Sequence, residues 1–441
     1  MQTFLQGIAK KARERPKHRF GNLYELLNEE FLKDSWRYIR KNAACGVDEV
    51  SARDYAKELD ANIRDLVERL KRKRYRAKHV RRRYIPKGDG GQRPLGIPAT
   101  EDKLLQQAVT RILTAIYEQD FLRCSYGYRP EVGALDAVDT LTMKLQFGRT
   151  NHVVDADIKG YFDRIDHEWM IRMLEERIDD KALLRLIKKW LKAGVLDTDG
   201  KVIHSATGTP QGGIVSPVLA NVYLHYVLDV WFHRVTMKRI KGQAFLIRYA
   251  DDVVCGFEHK HEAERFHQEL RDRLSKFGLE LSEKKTRVIE FHKRPPPGNI
   301  SFDFLGFEFR WGTDRNGKPR VKRRTSRKQL RASLKRFSEW CKTECRKKTR
   351  KWAPELNSKL RGYYRYYGIN GNYASLQEFR LHAERILFKW LNRRSQRRSY
   401  TWTGYRELLK HLRLERPRIY GRPKRALKSR QLGLFCGSEY H

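Results

Sequence analysis

Residues 245–257 read FLIRYADDVVCGF, two apolar runs meeting at a pair of aspartates. Runs of this length around an acidic turn predict a β-hairpin with Asp251 and Asp252 at or beside its tip. Alone the pair says little, because Asp is a common turn residue. Upstream, residues 151–158 read NHVVDADI. Its alternation sets His152, Val154, Ala156 and Ile158 on one face of a strand and Val153, Asp155 and Asp157 on the other. Asp157 thus ends a second strand, and three carboxylates can meet. Such a cluster repels itself unless divalent cations neutralise it. Two ions about 3.5–4 Å apart are what a phosphoryl transfer uses to activate an attacking oxygen and stabilise a leaving one. Hard oxygen ligands favour Mg²⁺.

Around these strands the pattern predicts helices within 23–78, a turn at Gly46 to Asp48, and a hairpin in HVRRRYIPKGDGGQRPLGIP (79–98) tipped by Gly88 to Gly91. Helical spacing returns at 101–122, 133–146 and 167–193, and a Gly-Pro loop leads into an apolar helix across 207–235. A helix near 260–277, short strands near 286–291 and 302–310, and a long basic helical region from 325 complete the chain. Pro295 to Gly298 mark the clearest internal boundary.

Charge divides the 441 residues unevenly. Against 53 Asp and Glu stand 94 Lys and Arg, a formal +41. Residues 1–100 carry +12, residues 101–300 only +2, and residues 301–441 carry +27. A nearly neutral, motif-rich middle between basic flanks fits a catalytic core whose flanks grip a polyanion. The six cysteines form no C-x-x-C pair, so neither a disulfide framework nor a paired zinc ribbon is indicated. Cys341 and Cys345 can share a helix face without a second ligand pair nearby. The N-terminus shows no apolar leader, and no run of about 18 apolar residues occurs, so the sequence points to neither secretion nor a membrane.

Eight motifs in order carry a family resemblance: RRYIPKGDGGQRPLGIPATEDKLLQQAV (82–109), SYGYRP (125–130), DADIKGYFDRIDHEWM (155–170), GTPQGGIVSPVLANVYL (208–224), RYADDVVC (248–255), LSEKKT (281–286), FDFLGFEF (302–309) and LRGYYRYYGI (360–369). Together they resemble the group II intron-encoded reverse transcriptases and maturases over roughly residues 20–370. The resemblance implies an α+β right-hand polymerase, fingers and palm with an antiparallel palm sheet, followed by an α-helical thumb or maturase region. It divides the chain into a basic helical N-terminal extension and start of fingers (1–80), fingers and palm (81–300), thumb (301–400) and a basic tail (401–441).

Position by position, the resemblance makes Asp157, Asp251 and Asp252 the catalytic carboxylates that hold two Mg²⁺ ions, with the backbone carbonyl of Ile158 completing one shell. It makes Phe162 the aromatic gate that collides with a ribose 2′-OH and so favours dNTPs. Lys87 and Arg93 match fingers positions on the triphosphate, a role suited to cations. Gln211 matches a residue near the nascent base pair, in a loop whose glycines permit close approach. Lys285 matches a lysine that protonates the leaving pyrophosphate, with Lys284 beside it as the alternative. In LRGYYRYYGI, Arg361 and Arg365 are the RNA-binding candidates, with Tyr363 and Tyr367 expected to pack inward.

The implied activity is RNA-directed DNA synthesis from dNTPs, with group II intron RNA or another structured RNA as partner, a DNA target or primer, and a bacterial, cytoplasmic, nucleoid- or ribonucleoprotein-associated setting. Many relatives carry a C-terminal endonuclease rich in Cys and His; His411 and Cys436 have no such company, so none is expected here. Three other readings stay open: a splicing factor that keeps the fold without synthesis, an RNA polymerase reading the 2′-OH through Asp163, and a relative serving phage defence or spacer acquisition. On the premise that neighbouring strand residues point oppositely, only one of Phe162 and Asp163 faces the sugar.

Overall fold

The computed structural model describes residues 2–86, 91–199, 201–203, 207–209, 212–293, 300–394 and 399–420. Its strands, in chain order, are β1 (Val80–Pro86), β2 (Gln92–Ile97), β3 (His152–Asp157), β4 (Val195–Leu196), β5 (Val202–Ile203), β6 (Ala244–Tyr249), β7 (Asp252–Phe257), β8 (Arg287–Glu290), β9 (Ser301–Phe304), β10 (Phe307–Thr313) and β11 (Pro319–Thr325). The chain forms two compact units, residues 1–292 and 293–441, dividing immediately before the proline run.

In the first unit, the helix Thr100–Tyr117 is buried along most of its length, with even Asp102, Lys103 and Gln106 inside, the mark of a central element. The helices Gln2–Glu14 and Glu29–Trp36 pack on it. Asn28 starts the second of these by accepting a bond from the Phe31 amide at 2.9 Å. The helices expected across 167–193 are His167–Glu175 and Lys181–Leu191. Asp180 caps the latter, accepting from the amides of Ala182 and Leu183.

The antiparallel sheet β6-β7-β3-β8 carries the site. One of its faces, with Val154, Ala156, Val253, Cys255 and Phe257, belongs to the hydrophobic core. The helix Lys260–Ser275 lies against it, with Phe257 and Phe266 rings 5.1 Å apart. The other face carries Asp155, Asp157 and Asp252. A second sheet, β2-β1-β4-β5, joins the 79–98 hairpin to β4 in parallel. The pair β4 and β5 went unread in the sequence, since two-residue strands carry no measurable alternation.

In the second unit, FDFLGFEF is not one strand. It breaks at Leu305 and Gly306, both at positive φ (49° and 81°), into β9 and β10, and β11 closes a three-stranded sheet. Phe302, Phe307, Phe309, Trp311 and Val321 form its buried face. Helices Arg327–Glu344, Thr349–Tyr367, Tyr373–Leu391 and Trp402–His411 follow, in agreement with the helical reading from 325. Among the described residues no helix is long and apolar enough to cross a membrane.

Candidate active site

The hairpin at Asp251 and Asp252 is as tight as a hairpin can be. Tyr249 pairs with Asp252, leaving Ala250 and Asp251 as a two-residue turn with Ala250 at φ 56°. An alanine held in the left-handed region needs support from outside the turn. Arg248 supplies it from a wholly buried position. Its Nη1 donates to the Ala250 carbonyl (3.1 Å) and to Asn221 Oδ1 (3.1 Å), and its Nη2 donates to Ser125 Oγ (2.8 Å). Nε and Nη2 form a fork on the equally buried Asp229 at 2.8 and 2.6 Å.

Segment 124–128 runs beside β6 through Arg248 N–H to Cys124 O and Tyr126 N–H to Arg248 O. Gly127 passes so close to the Ala250 amide that a Cβ there has no room. None of this support was read from the sequence. The signals were present: an arginine inside an apolar strand and an aspartate inside an apolar helix each need a partner when buried.

Strand register places Asp157 directly opposite Asp252. Side chains so paired lie on one face with Cβ atoms about 4.5–5.5 Å apart. Lys285 reaches this point: its Nζ lies 3.0 and 3.2 Å from the Asp157 carboxylate oxygens. Of the two adjacent lysines it is therefore Lys285 that contacts the carboxylates. The short bridge between Ile158 and Leu281 is closed by Asp157 O and Lys159 N–H. In that arrangement the Ile158 carbonyl points away from Leu281, toward the hairpin side.

Crowding by protein, then the charges of Asp251, Asp157 and Asp155, push the Asp252 carboxyl up to about 7. The Asp252 side chain is itself open to water, which screens part of that effect. Asp251 is raised by burial and by Asp157, against the opposing fields of Arg93 and Lys285. Arg93 on β2 is exposed yet acts on both Asp251 and Tyr128.

Phe162 sits in a 3₁₀ turn, Tyr161–Asp163, so the opposite-faces argument for strands does not apply to it; neighbours there are about 120° apart. Its half-buried ring meets Tyr128 edge-on at 6.3 Å, whereas Asp163 is exposed. Tyr128 is strained at φ 57° and feels Asp251 and Asp252. It is a wall of the site that sequence reasoning missed. The loop before the helix Ser216–Leu224 is tied on both sides. Thr209 N–H bonds Phe162 O (2.8 Å), and Gly212, at φ 117°, lies against the Gly96 carbonyl with no room for a Cβ. Gln211 and Lys87 lie outside the described residues.

Arg361 and Arg365 belong to the other unit. Arg361 is already forked onto Glu415 at 2.6 and 2.8 Å, while Arg365 is exposed. Tyr364 and Tyr367 are buried and Tyr363 stacks on Phe379. The tyrosines of LRGYYRYYGI are thus mainly core, and only the arginines face outward.

Residues 85–309 match the family model described as reverse transcriptase (RNA-dependent DNA polymerase). The chain is 31% identical over 465 aligned positions to the group II intron-encoded protein LtrA of Lactococcus lactis subsp. cremoris, covering 86% of this chain and 75% of that protein. The chain belongs to the group II intron-encoded reverse transcriptases. This reverse transcriptase also shares 31% identity with protein YkfC of Escherichia coli (69% of this chain, 87% of that one). With a putative COX1/OXI3 intron 2 protein of Saccharomyces cerevisiae it shares 37% over a third of its length, 17% of that protein.

Membership makes the chain an RNA-directed DNA polymerase of the right-hand fold, with the nucleotidyl transfer dependent on divalent metal. The donors fit such an ion: hard carboxylate oxygens at one end of the sheet, those of Asp251 and Asp252 raised in pKa by burial and then by neighbouring carboxylates, with the Lys285 ammonium standing as a cation on Asp157. Among the described residues no three acidic, His or Cys side chains converge into a ready-made cage. With Asp157 turned onto Lys285 and like charges repelling, the aspartates share the sheet end without closing on one point.

Proposed function

We propose that this reverse transcriptase copies RNA into DNA at the Asp157, Asp251 and Asp252 site while its C-terminal unit holds group II intron RNA, assisting splicing and target-primed mobility. The observation that carries the catalytic part is the register that sets Asp157 opposite Asp252 beside the Arg248-braced turn. Asp157, Asp251 and Asp252, with the Ile158 carbonyl, would hold two Mg²⁺ ions. When bound, such ions supply activation of the primer 3′-OH and charge stabilisation at the α-phosphate and leaving pyrophosphate.

The chain's own residues do the rest. Arg93 and Lys87 bind and orient the triphosphate, Arg93 from a position already within the field of Asp251. Lys285, which reaches the site through its contact with Asp157, delivers a proton to the pyrophosphate oxygen. Phe162, backed by Tyr128, occupies the space a 2′-OH requires and so selects dNTPs. Gln211 lines the nascent pair. In this reading residues 1–80 extend the fingers, 81–300 are fingers and palm, 301–400 the thumb and 401–441 a basic tail, and the DNA partner is a target or primer strand.

The test is primer extension on a defined RNA template with Mg²⁺, dNTPs against rNTPs, together with self-splicing of the intron RNA with and without protein. Extension restricted to dNTPs and faster splicing are expected. Faster splicing without extension leaves a splicing factor and removes the polymerase roles assigned to these side chains.

A further inference from the structure

The outer face of β9-β10-β11 has a composition that folding alone does not explain. Register places Arg310 directly opposite Lys322, and Gly312 opposite Arg320. All lie on the face opposite the buried Phe307, Phe309 and Trp311. A like-charged pair directly across two strands is destabilising. Nearby acids are already engaged: Glu308 is forked by Arg324 at 2.8 and 3.0 Å, and Asp314 accepts from the turn amides of Asn316 and Lys318. Arg310 also keeps a buried Nε without a hydrogen-bond partner. Lys322 lies flat over Gly312, its Cγ 3.1 Å from where a Cβ would stand. The missing Cβ leaves room for that stem to lie along the sheet. Every aromatic ring of β10 points to the other face.

We propose that this face is a sequence-blind grip for the phosphate backbone of RNA, centred on Arg310, Arg320 and Lys322. It rests on the reading that the C-terminal unit holds RNA, and it names where. With no aromatic ring on this face to build a stacking platform, its cations are assigned to the phosphates, contacts that position a strand without carrying sequence information. The Arg310–Lys322 repulsion is relieved when polyanion binds.

Two variants of the full chain test it. Lys322→Glu creates an ion pair with Arg310, so its melting temperature should hold or rise while RNA affinity falls. A purely structural role for Lys322 predicts the reverse, a lower melting temperature with binding unchanged, and would overturn the proposal. For Arg310→Gln/Arg320→Gln/Lys322→Gln, the slope of log affinity against log salt should shrink by roughly 2–3, since each neutralised phosphate contributes about 0.7–0.9. The same shrinkage is expected on intron RNA and on a scrambled RNA of equal length. An unchanged slope, a loss confined to one RNA, or a loss confined to duplex DNA overturns the grip. If wild-type protein itself binds RNA without salt dependence, the broader RNA-holding reading fails instead, and the two failures stay distinct.

Discussion

The two units treat charge in opposite ways. Residues 1–292 hold 54 basic and 42 acidic side chains, and their important charges are buried or paired: Arg248 with Asp229, Arg129 with Glu118, Arg111 with Asp34, Lys285 with Asp157. Residues 293–441 hold 40 basic and 11 acidic side chains, too few acids to pair most of the cations. A catalytic centre needs charges fixed in place, because a misplaced carboxylate forfeits the geometry of transfer. A backbone grip needs charges that are numerous and solvated. The difference teaches that net charge alone is a poor guide: the three carboxylates proposed for the chemistry sit in the unit nearer neutrality.

The comparison can be broken first at Asp251. Asp251→Asn should lower dNTP incorporation by about a thousandfold or more, the scale of several kcal/mol of charge stabilisation, while RNA affinity stays within about twofold. Next is Arg248→Met, which strands Asp229 in the core. Leaving one member of a buried pair uncompensated costs roughly 3–5 kcal/mol, to be read by denaturant unfolding of the full chain. A loss below about 1 kcal/mol would mean the pair does not brace the turn. Phe162→Val should relax discrimination against rNTPs by about 10–100-fold, the range a pocket-wall change commands, measured as the ratio of kcat/KM values.

The pH dependence sharpens the same contrast. The Asp252 carboxyl lies above its unfolded value, so in metal-free protein it contributes stability that is present below about pH 4 and lost as pH rises through about 7. Metal must displace that proton. The Mg²⁺ concentration for half-maximal activity should therefore rise as pH falls below about 7, by up to about tenfold per unit, and Asp252→Asn should abolish this dependence in metal binding. The smallest effect is expected in the other unit. Arg365→Ala should reduce the RNA salt slope by about 0.7–0.9, and Arg361→Ala by less, because Glu415 already engages it.

The fold was legible where patterns were long or doubly constrained. The alternation of NHVVDADI and the paired runs around Asp251 and Asp252 gave both site strands nearly to the residue, because one apolar face and one acidic end admit a single register. The break of FDFLGFEF was hidden because Phe302, Phe304, Phe307 and Phe309 stay apolar across a turn that only backbone angles reveal. Phe162 and Asp163 looked like strand neighbours although Gly160, at φ 58°, turns the chain into a 3₁₀ helix before them. The support of Arg248 by Asp229, Asn221 and Ser125 was invisible for a different reason. Its members lie up to 123 positions apart, and one-dimensional spacing carries no sign of such a contact. The positions of the three carboxylates could be read from local sequence, whereas the residues that hold them in place could not.

The central claim is that synthesis and RNA holding reside in separate units. The most direct measurement compares wild type with Asp251→Ala in two assays on one preparation, dNTP extension of a primer on an RNA template and salt-dependent binding of the same RNA. Extension abolished with the binding isotherm and its salt slope unchanged is the predicted result. Equal loss of both would contradict the separation.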